Sequence, residues 1–407
     1  MDLREKRVLF SMGFLVVLVS FAVFSFFGGA HVLAAQKVVK VGWIGDLTGP
    51  TAHASKVALF GAQDWIRHAN ESGKIPGVKI ELIPEDNKYN PSKTVLAYKK
   101  LKNEGVVGFI AVYSQDSELL KPICKRDKMV VIAAIGSDKV LDPPGWVFIL
   151  YPTWVAHVNV LAERIQDTWD YKKMGRNPRL ATIGWDNTMG TCHIKTSQKY
   201  VKDHNLKVDL GPFEVTPMRT MDFSANIMRI KEAGADYVYI PMVPGPTAVA
   251  IKQIKGASMP IKICVNDAGG AITVMKKVVG LENMQGIIRL GMYEWYSSNS
   301  PGMTLVKKLQ AKYHPGKFIA MSSYFWCYQS SMVMTEAIDM AIKKKGFDKL
   351  NPVELYEQFQ QVEIDTQGLN GSVLKLGKKR RVASSVIRFD EFEGKTWVNK
   401  SKWYSTD

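Results

Sequence analysis

The hydrophobic positions of this chain predict alternating strands and helices. Residues 38–44 form a short apolar run rich in β-branched side chains, typical of a strand covered on both faces in a parallel sheet. Gly49 and Pro50 then turn the chain before an amphipathic helix that begins near Thr51. Such a loop lies at the carboxyl edge of the sheet, where helix amides favour an anion. A β–α turn without any ligand role explains this stretch equally well.

The same strand–loop–helix pattern recurs along the chain in two blocks. Further strands are predicted over 78–83, 106–112 and 129–135, and the pattern restarts after Tyr151 and Pro152, with strands over 180–184, 237–240 and 261–265. Repetition of this kind implies right-handed crossovers and parallel sheets. We therefore predict two α/β units with a cleft between them, followed by a less regular section of helices and short hairpin strands.

Length and charge refine this picture only slightly. A chain of 407 residues is long enough for two domains. Its formal charge of +16 suggests nucleic acid or an anionic membrane as a partner, but the basic residues are scattered. The one dense cluster, Lys378-Lys379-Arg380-Arg381, follows Gly377 and is interpreted as a solvated loop, so no nucleic-acid partner is predicted.

The N-terminus has the pattern of an export signal. Arg4, Lys6 and Arg7 precede an almost wholly apolar run over 8–27, and Val32-Leu33-Ala34 offers small residues for cleavage. We predict that residues 1–35 are a signal peptide cleaved near Ala34, which places the mature protein in the periplasm. Because the apolar run is long, an uncleaved membrane anchor is the alternative.

Motifs of common enzymes and metal sites do not occur in the sequence. There is no G-x-S-x-G, H-E-x-x-H, G-x-G-x-x-G or phosphate-binding loop, and the seven histidines are scattered. We predict no catalytic residues, no metal and no cofactor, although a hydrolase assembled from distant residues is an alternative. The four cysteines are widely spaced, so no structural disulfide is expected.

Four segments together resemble the substrate-binding proteins of branched-chain-amino-acid-type ABC transporters, the periplasmic Leu/Ile/Val-binding family. They read Val-Gly-Trp-Ile-Gly-Asp-Leu-Thr-Gly-Pro at 41–50, Asp-Asn-Lys-Tyr-Asn-Pro at 86–91, Asp-Phe-Ser-Ala at 222–225 and Asp-Tyr-Val-Tyr at 236–239. The resemblance covers essentially the whole chain after the leader.

The resemblance implies a bilobal α/β fold, the type I periplasmic-binding-protein fold. Two doubly wound parallel-sheet lobes would be joined by a three-crossover hinge, with crossovers near 152–156, 290–293 and 365–369. Lobe one would then comprise residues 36–153 and 292–365, and lobe two residues 154–291 and 366–407.

The resemblance also implies candidate ligand-binding residues. The family's carboxylate-binding hydroxyls correspond to Ser114 and Ser137, assisted by backbone amides around Tyr113 and Ile135. Its ammonium-binding carboxylate corresponds to Asp267, one methylene shorter than the usual glutamate. Without the family, both serines would be interpreted as helix caps and Asp267 as a turn residue.

The side-chain pocket departs from the family pattern. Ligand-contacting tyrosines of the family fall near Met189 and Val243, and an aromatic of the first loop is replaced around His53 and Ala54. Trp185, Met189, Tyr113 and Tyr328 are therefore predicted to line a hydrophobic slot, with burial in the core as the alternative.

The resulting functional prediction is an exported, monomeric solute receptor. It would capture a small carboxylate-bearing ligand, an amino acid, by hinge closure and deliver it to an inner-membrane ABC permease. The alternatives are the same role for aromatic or aliphatic acids, amides or urea derivatives, or a ligand-sensing protein of the same fold, against which the leader argues.

Overall fold

The computed structural model describes residues 36–317 and 319–406. The predicted signal peptide therefore lies outside the described residues. The strands are β1 Lys37–Gly45, β2 Val78–Asp86, β3 Gly108–Ala111, β4 Val130–Ala133, β5 Val147–Ile149, β6 Arg179–Trp185, β7 Asp209–Thr216, β8 Tyr237–Ile240, β9 Lys262–Val265, β10 Ile288–Gly291, β11 Glu363–Ile364, β12 Leu374–Lys375, β13 Val386–Glu393, β14 Thr396–Asn399 and β15 Tyr404–Ser405.

The α-helices of the described residues connect and cover these strands. They are α1 Ala52–Glu71, α2 Pro91–Asn103, α3 Ser114–Asp127, α4 Trp154–Thr168, α5 Tyr171–Met174, α6 Thr188–Thr191, α7 His193–Asp203, α8 Ser224–Glu232, α9 Pro244–Gly256, α10 Ile272–Val278, α11 Leu281–Met284, α12 Pro301–Tyr313, α13 Ser322–Lys345 and α14 Pro352–Phe359. Short 3-10 helices occur at Asp138–Val140 and Phe347–Lys349.

Two sheets organise the chain, which confirms the predicted α/β class. The first sheet has the order β2-β1-β3-β4-β5, and its pairs β1–β3, β3–β4 and β4–β5 are parallel. The second has the order β14-β13-β10-β9-β8-β6-β7, parallel from β10 to β7, with β13 and its partners added antiparallel. Strand order reverses between β1 and β3 in the first sheet and between β6 and β8 in the second, and such switch points open a crevice at the carboxyl edge of a sheet.

The chain passes between the two sheets three times. It leaves β5 for α4 after Ile149 and leaves β10 after Gly291, close to the first two predicted crossovers. The third passage falls later than 365–369, because β12 pairs with β11 and Val382 bridges Ile149 of the first sheet before β13 joins the second. The lobe limits stay a prediction, although Val382, which we predicted for lobe two, bridges the first sheet.

Helix α13 is the most deeply buried helix of the first lobe. It packs on α1 at Gly61, where an added Cβ would lie 2.0 Å from the carbonyl oxygen of Tyr324. Asp64 of α1 accepts hydrogen bonds from Tyr324 Oη at 2.8 Å and from the ring of His314, which follows α12. The two helices therefore meet backbone to backbone and are tied by a buried polar cluster.

A buried ion pair joins β10 and β13 of the second sheet. Arg289 on β10 is fully buried, and its guanidinium lies 4.2 Å from the ring centroid of Trp295 and 5.4 Å from that of Trp397. Its charge is matched by Asp390 on β13, which accepts from Arg289 Nε at 3.2 Å. Removal of one partner of such a pair leaves an uncompensated buried charge.

Two further features of the described residues bear on the sequence predictions. None of their helices combines the length and the apolar character that crossing a bilayer requires. The four cysteines are unpaired, and Cys124, Cys264 and Cys327 are buried.

Candidate functional site

The loops at the two switch points face each other across a small cavity of about 30 Å³. The loops after β1 and β3 of the first sheet, the loops after β8 and β9 of the second, and the first turn of α13 all contribute to its wall. The lining residues are Thr51, His53, Ala54, Tyr113, Val243, Pro244, Ala268, Ala271, Met321, Ser322, Ser323 and Trp326. Three of the positions that depart from the family pattern, His53, Ala54 and Val243, thus line the same cavity.

Ser114 occupies the first position of α3, as its place after a first-sheet strand predicted. Its Oγ accepts a hydrogen bond from the indole Nε1 of Trp154 at 2.9 Å. Because a hydroxyl donates one proton, that of Ser114 remains available to an acceptor. Among the residues that the structure describes, no side chain caps the N-terminus of α3, so its first amides remain able to bind an anion.

Ser137 lies after β4 but is already engaged. Its Oγ donates to Glu118 Oε1 at 2.5 Å, and the residue is 1% exposed. A serine whose single proton is bonded to a carboxylate has no donor left for a second carboxylate. In this arrangement the predicted carboxylate-binding role falls on Ser114 alone.

Asp267 follows β9 and is completely buried behind the cavity wall. Its Oδ2 accepts from Trp326 Nε1 at 3.0 Å and from Tyr293 Oη at 3.5 Å, whereas Oδ1 has no hydrogen bond of normal geometry to any residue within 36–317 and 319–406. Burial raises the pKa of Asp267, opposed by the Trp326 hydrogen bond and by the charge of Arg289. A buried carboxylate oxygen without a partner calls for an explanation, and a ligand donor is one.

The remaining second-sheet candidates, Met189 and Trp185, lie on α6 and at the end of β6. Met189 is on α6, and its Sδ lies 3.6 Å from Nδ2 of Asn266, the residue preceding Asp267. Trp185 ends β6, is 6% exposed, and its buried Nε1 has no partner among the described residues. The loop after β6 is therefore brought against the loop after β9, as their shared sheet edge requires.

The first-lobe candidates divide between the cavity and the core. Tyr113 lines the cavity and donates from Oη to the Thr51 carbonyl at 3.2 Å, and burial raises its pKa. Ile135 is a buried core residue at 4% exposure. Tyr328 does not contact this cavity: it lies between α1 and α13 against Trp65, because α13 is buried on nearly every side.

Several residues of the site escaped the sequence reasoning. Trp326 and Ser323 line the cavity from α13, and the buried Oγ of Ser323 has no partner among the described residues. Gln115, next to Ser114, has a buried side-chain amide nitrogen without a partner there. Burial lowers the pKa of His53, which lines the cavity. The spacing of apolar residues in α13 did not indicate that the start of this helix lines the cavity. Gln115, in contrast, could have been predicted from its position beside Ser114.

No group of three or more metal-ligating side chains suited to hold an ion occurs among residues 36–317 and 319–406. The groups that the candidate site presents are hydrogen-bond donors near Ser114, the carboxylate of Asp267 and an apolar wall. This arrangement suits reversible capture of a small polar molecule.

Known proteins with similar sequences are named as amino-acid-binding proteins. The chain is 24% identical over 258 residues to the leucine-, isoleucine-, valine-, threonine- and alanine-binding protein of Pseudomonas aeruginosa, a match that spans 59% of this chain and 63% of that relative. It is 20% identical over 284 residues to the Leu/Ile/Val-binding protein of Escherichia coli, spanning 68% of this chain and 74% of the relative.

Solved structures with the same fold cover almost the whole chain. A branched-chain amino acid ABC transporter protein from Thermus thermophilus with bound valine has a TM-score of 0.80 at 20% identity, over 91% of this chain and 97% of that one. A solute-binding protein from R. palustris in complex with 4-hydroxybenzoate has a TM-score of 0.74 at 17% identity, over the same shares of the two chains. The family model described as periplasmic binding protein matches residues 38–389, and the chain therefore belongs to the periplasmic binding protein family.

Proposed function

We propose that this protein is an exported receptor that captures a small carboxylate-bearing molecule, an amino acid, between its two sheets and delivers it to an ABC permease. The observation that carries the proposal is the buried, unpartnered Oδ1 of Asp267 behind a cavity formed where the two switch points meet. Membership of the periplasmic binding protein family supports the receptor role.

The ligand carboxylate is assigned to the N-terminus of α3. The Ser114 hydroxyl keeps its proton because its oxygen accepts from Trp154. The uncapped amides of α3 and the helix dipole add favourable interactions with a negative charge. Trp154 fixes the orientation of the hydroxyl, so little ordering is needed when the ligand arrives.

The ligand ammonium is assigned to Asp267. Its carboxylate is buried, which raises its pKa, and its Oδ1 has no hydrogen-bond partner among the described residues. A cationic donor placed beside Oδ1 would satisfy that oxygen and favour the ionised form. Ser114 belongs to the first lobe and Asp267 to the second, so a molecule with both charges would bridge them and stabilise closure.

A second candidate ligand class is an acid or amide without an amino group. The raised pKa of Asp267 favours this class, because a protonated carboxyl can donate a hydrogen bond to a neutral acceptor. The 4-hydroxybenzoate complex of the R. palustris protein is an instance of an aromatic acid bound on this fold.

The export step is part of the same proposal. The basic start, the apolar run and Val32-Leu33-Ala34 support cleavage near Ala34 and a periplasmic mature protein, which we propose to be a monomer. A periplasmic receptor of this kind acts before a membrane permease, which would recognise the closed form.

A thermal-shift screen with amino acids, organic acids and amides tests the proposal. A ligand present at about 100 times its Kd adds about 2.7 kcal/mol to the free energy of unfolding. Calorimetry on each hit should give one molecule bound per chain, and chromatography should recover the ligand unchanged. Conversion of a hit into product would contradict the receptor role and favour a hydrolase.

A further inference from the structure

A second and much larger cavity lies on the side of the first lobe. It has a volume of about 390 Å³ and is enclosed by α1, α12, α13 and the segment 364–369. We call it the lateral cavity. Its lining includes Trp65, His68, Leu305, Tyr328, Met332 and Leu369. It shares no lining residue with the cavity between the sheets, and its volume is within the range of small-molecule sites.

The walls of the lateral cavity are aromatic and firmly held. The rings of Trp65 and Tyr328 meet edge to face, with centroids 5.4 Å apart and an interplanar angle of 77°. Trp65 Nε1 already donates to Thr335 Oγ1 at 3.2 Å, so Trp65 offers a ligand only its ring. Because α1 and α13 pack backbone to backbone at Gly61, these walls are preorganised.

The wall of the lateral cavity offers a ligand no buried unpaired charge. Lys74 and Glu336 form an ion pair at 2.9 Å on its wall. Asp365, also on the wall, is exposed to solvent, and its carboxylate accepts a hydrogen bond from the amide of Gln367 at 2.8 Å. Burying a charged group in this cavity would therefore bring a desolvation penalty without a matching buried partner.

Two polar groups of the wall remain without hydrogen bonds. Tyr328 is 2% exposed, and within residues 36–317 and 319–406 its hydroxyl makes no hydrogen bond. The His68 ring likewise has no hydrogen bond there, and burial lowers its pKa, which keeps it neutral at pH 7 with one donor and one acceptor. Both groups are suited to a partner that carries a hydroxyl or an N–H.

We propose that the lateral cavity is a second binding site, for an uncharged aromatic compound that carries one hydroxyl or N–H group. The aromatic body stacks against Trp65 and Tyr328, and its polar group bonds the Tyr328 hydroxyl or the His68 ring. Sequence reasoning singled out Tyr328 as a ligand contact, and the structure assigns it to this site instead of the cleft. The proposal is independent of the ligand bound between the sheets.

Titration of the full mature chain with indole, followed by calorimetry and saturation-transfer NMR, tests the proposal. Leu305 lines the lateral cavity and is half-buried, so Leu305→Trp should fill the space and abolish indole binding. Leu96→Trp, at an exposed position on α2, is the matched control and should bind indole like the wild type. Tyr328→Phe removes only an unbonded hydroxyl and should weaken binding about two- to tenfold.

Charged analogues test the predicted ligand class. Benzoate and benzylammonium should each bind about tenfold or more weakly than indole, because neither charge finds an unpaired buried partner, and the exposed Asp365 is screened by water. Absence of indole binding to the wild type at up to ~5 mM, which corresponds to a binding free energy weaker than about −3 kcal/mol, would overturn the proposal. Indole binding that survives Leu305→Trp would also overturn it, as would tighter binding of either charged analogue.

Discussion

The substitution Asp267→Asn separates ligand binding from folding. The asparagine oxygen can keep the Trp326 hydrogen bond, which spans 3.0 Å in the native protein. The amide NH₂ would then replace Oδ1, so a donor would face the ligand ammonium where an unpartnered acceptor stood.

The magnitude follows from the lost interaction. A hydrogen bond to a charged group contributes about 1.5–3 kcal/mol, which corresponds to a loss of affinity of about tenfold to 150-fold. The free protein should instead gain stability at pH 7, because burial raises the pKa of Asp267 and the neutral amide escapes that penalty. Since the folded pKa lies above the unfolded one, the gain should vanish at pH values below about 4, where both states of the wild type are protonated.

Calorimetry with the best hit of the screen, together with urea unfolding of the free protein, measures both effects. Glu232→Gln, at an exposed position of the second lobe, is the charge-matched control and should change neither quantity. Unchanged affinity in Asp267→Asn would refute the amino-acid assignment and favour a ligand without an amino group. Weaker binding combined with a large loss of stability would indicate a structural role for Asp267.

Three other predictions concern the scaffold and export. Burial lowers the pKa of His157 to about 3 and of His193 to about 4. Because each ring must stay neutral in the folded protein, the unfolding free energy should fall by about 2 kcal/mol per histidine between pH 7 and pH 5. Urea unfolding of His157→Gln should show a smaller loss over this range, and a pH dependence identical to that of the wild type would contradict the prediction. Gly61→Ala should lower the unfolding free energy by roughly 1–3 kcal/mol through overpacking, whereas Gly256→Ala, with open space at its Cβ, should not. Mass spectrometry of the exported protein should find an N-terminus near Ala35, and an intact leader in the membrane would support an anchor.

Much of the fold could be predicted because buried parallel strands form continuous apolar runs. β4 and β8 are fully buried, and both were recognised from their sequences. β7 was missed because it is an edge strand with mixed exposure and a proline, and β5 because it has only three residues.

Only those site residues that come directly after a strand could be predicted from the sequence. Ser114 and Asp267 lie where the carboxyl edges of their sheets place them. The pairing of Ser137 with Glu118 depends on a contact 19 residues away, which no local pattern reveals. Tyr328 was misplaced because α13 is buried all round, so helical spacing could not indicate which of its faces meets the cleft.

Small-angle scattering on the free and ligand-saturated protein tests the central claim most directly. If a ligand bridges Ser114 of the first lobe and Asp267 of the second, saturation should draw the lobes together and reduce the radius of gyration. Superimposable profiles with and without a saturating ligand would contradict capture by closure between the two sheets.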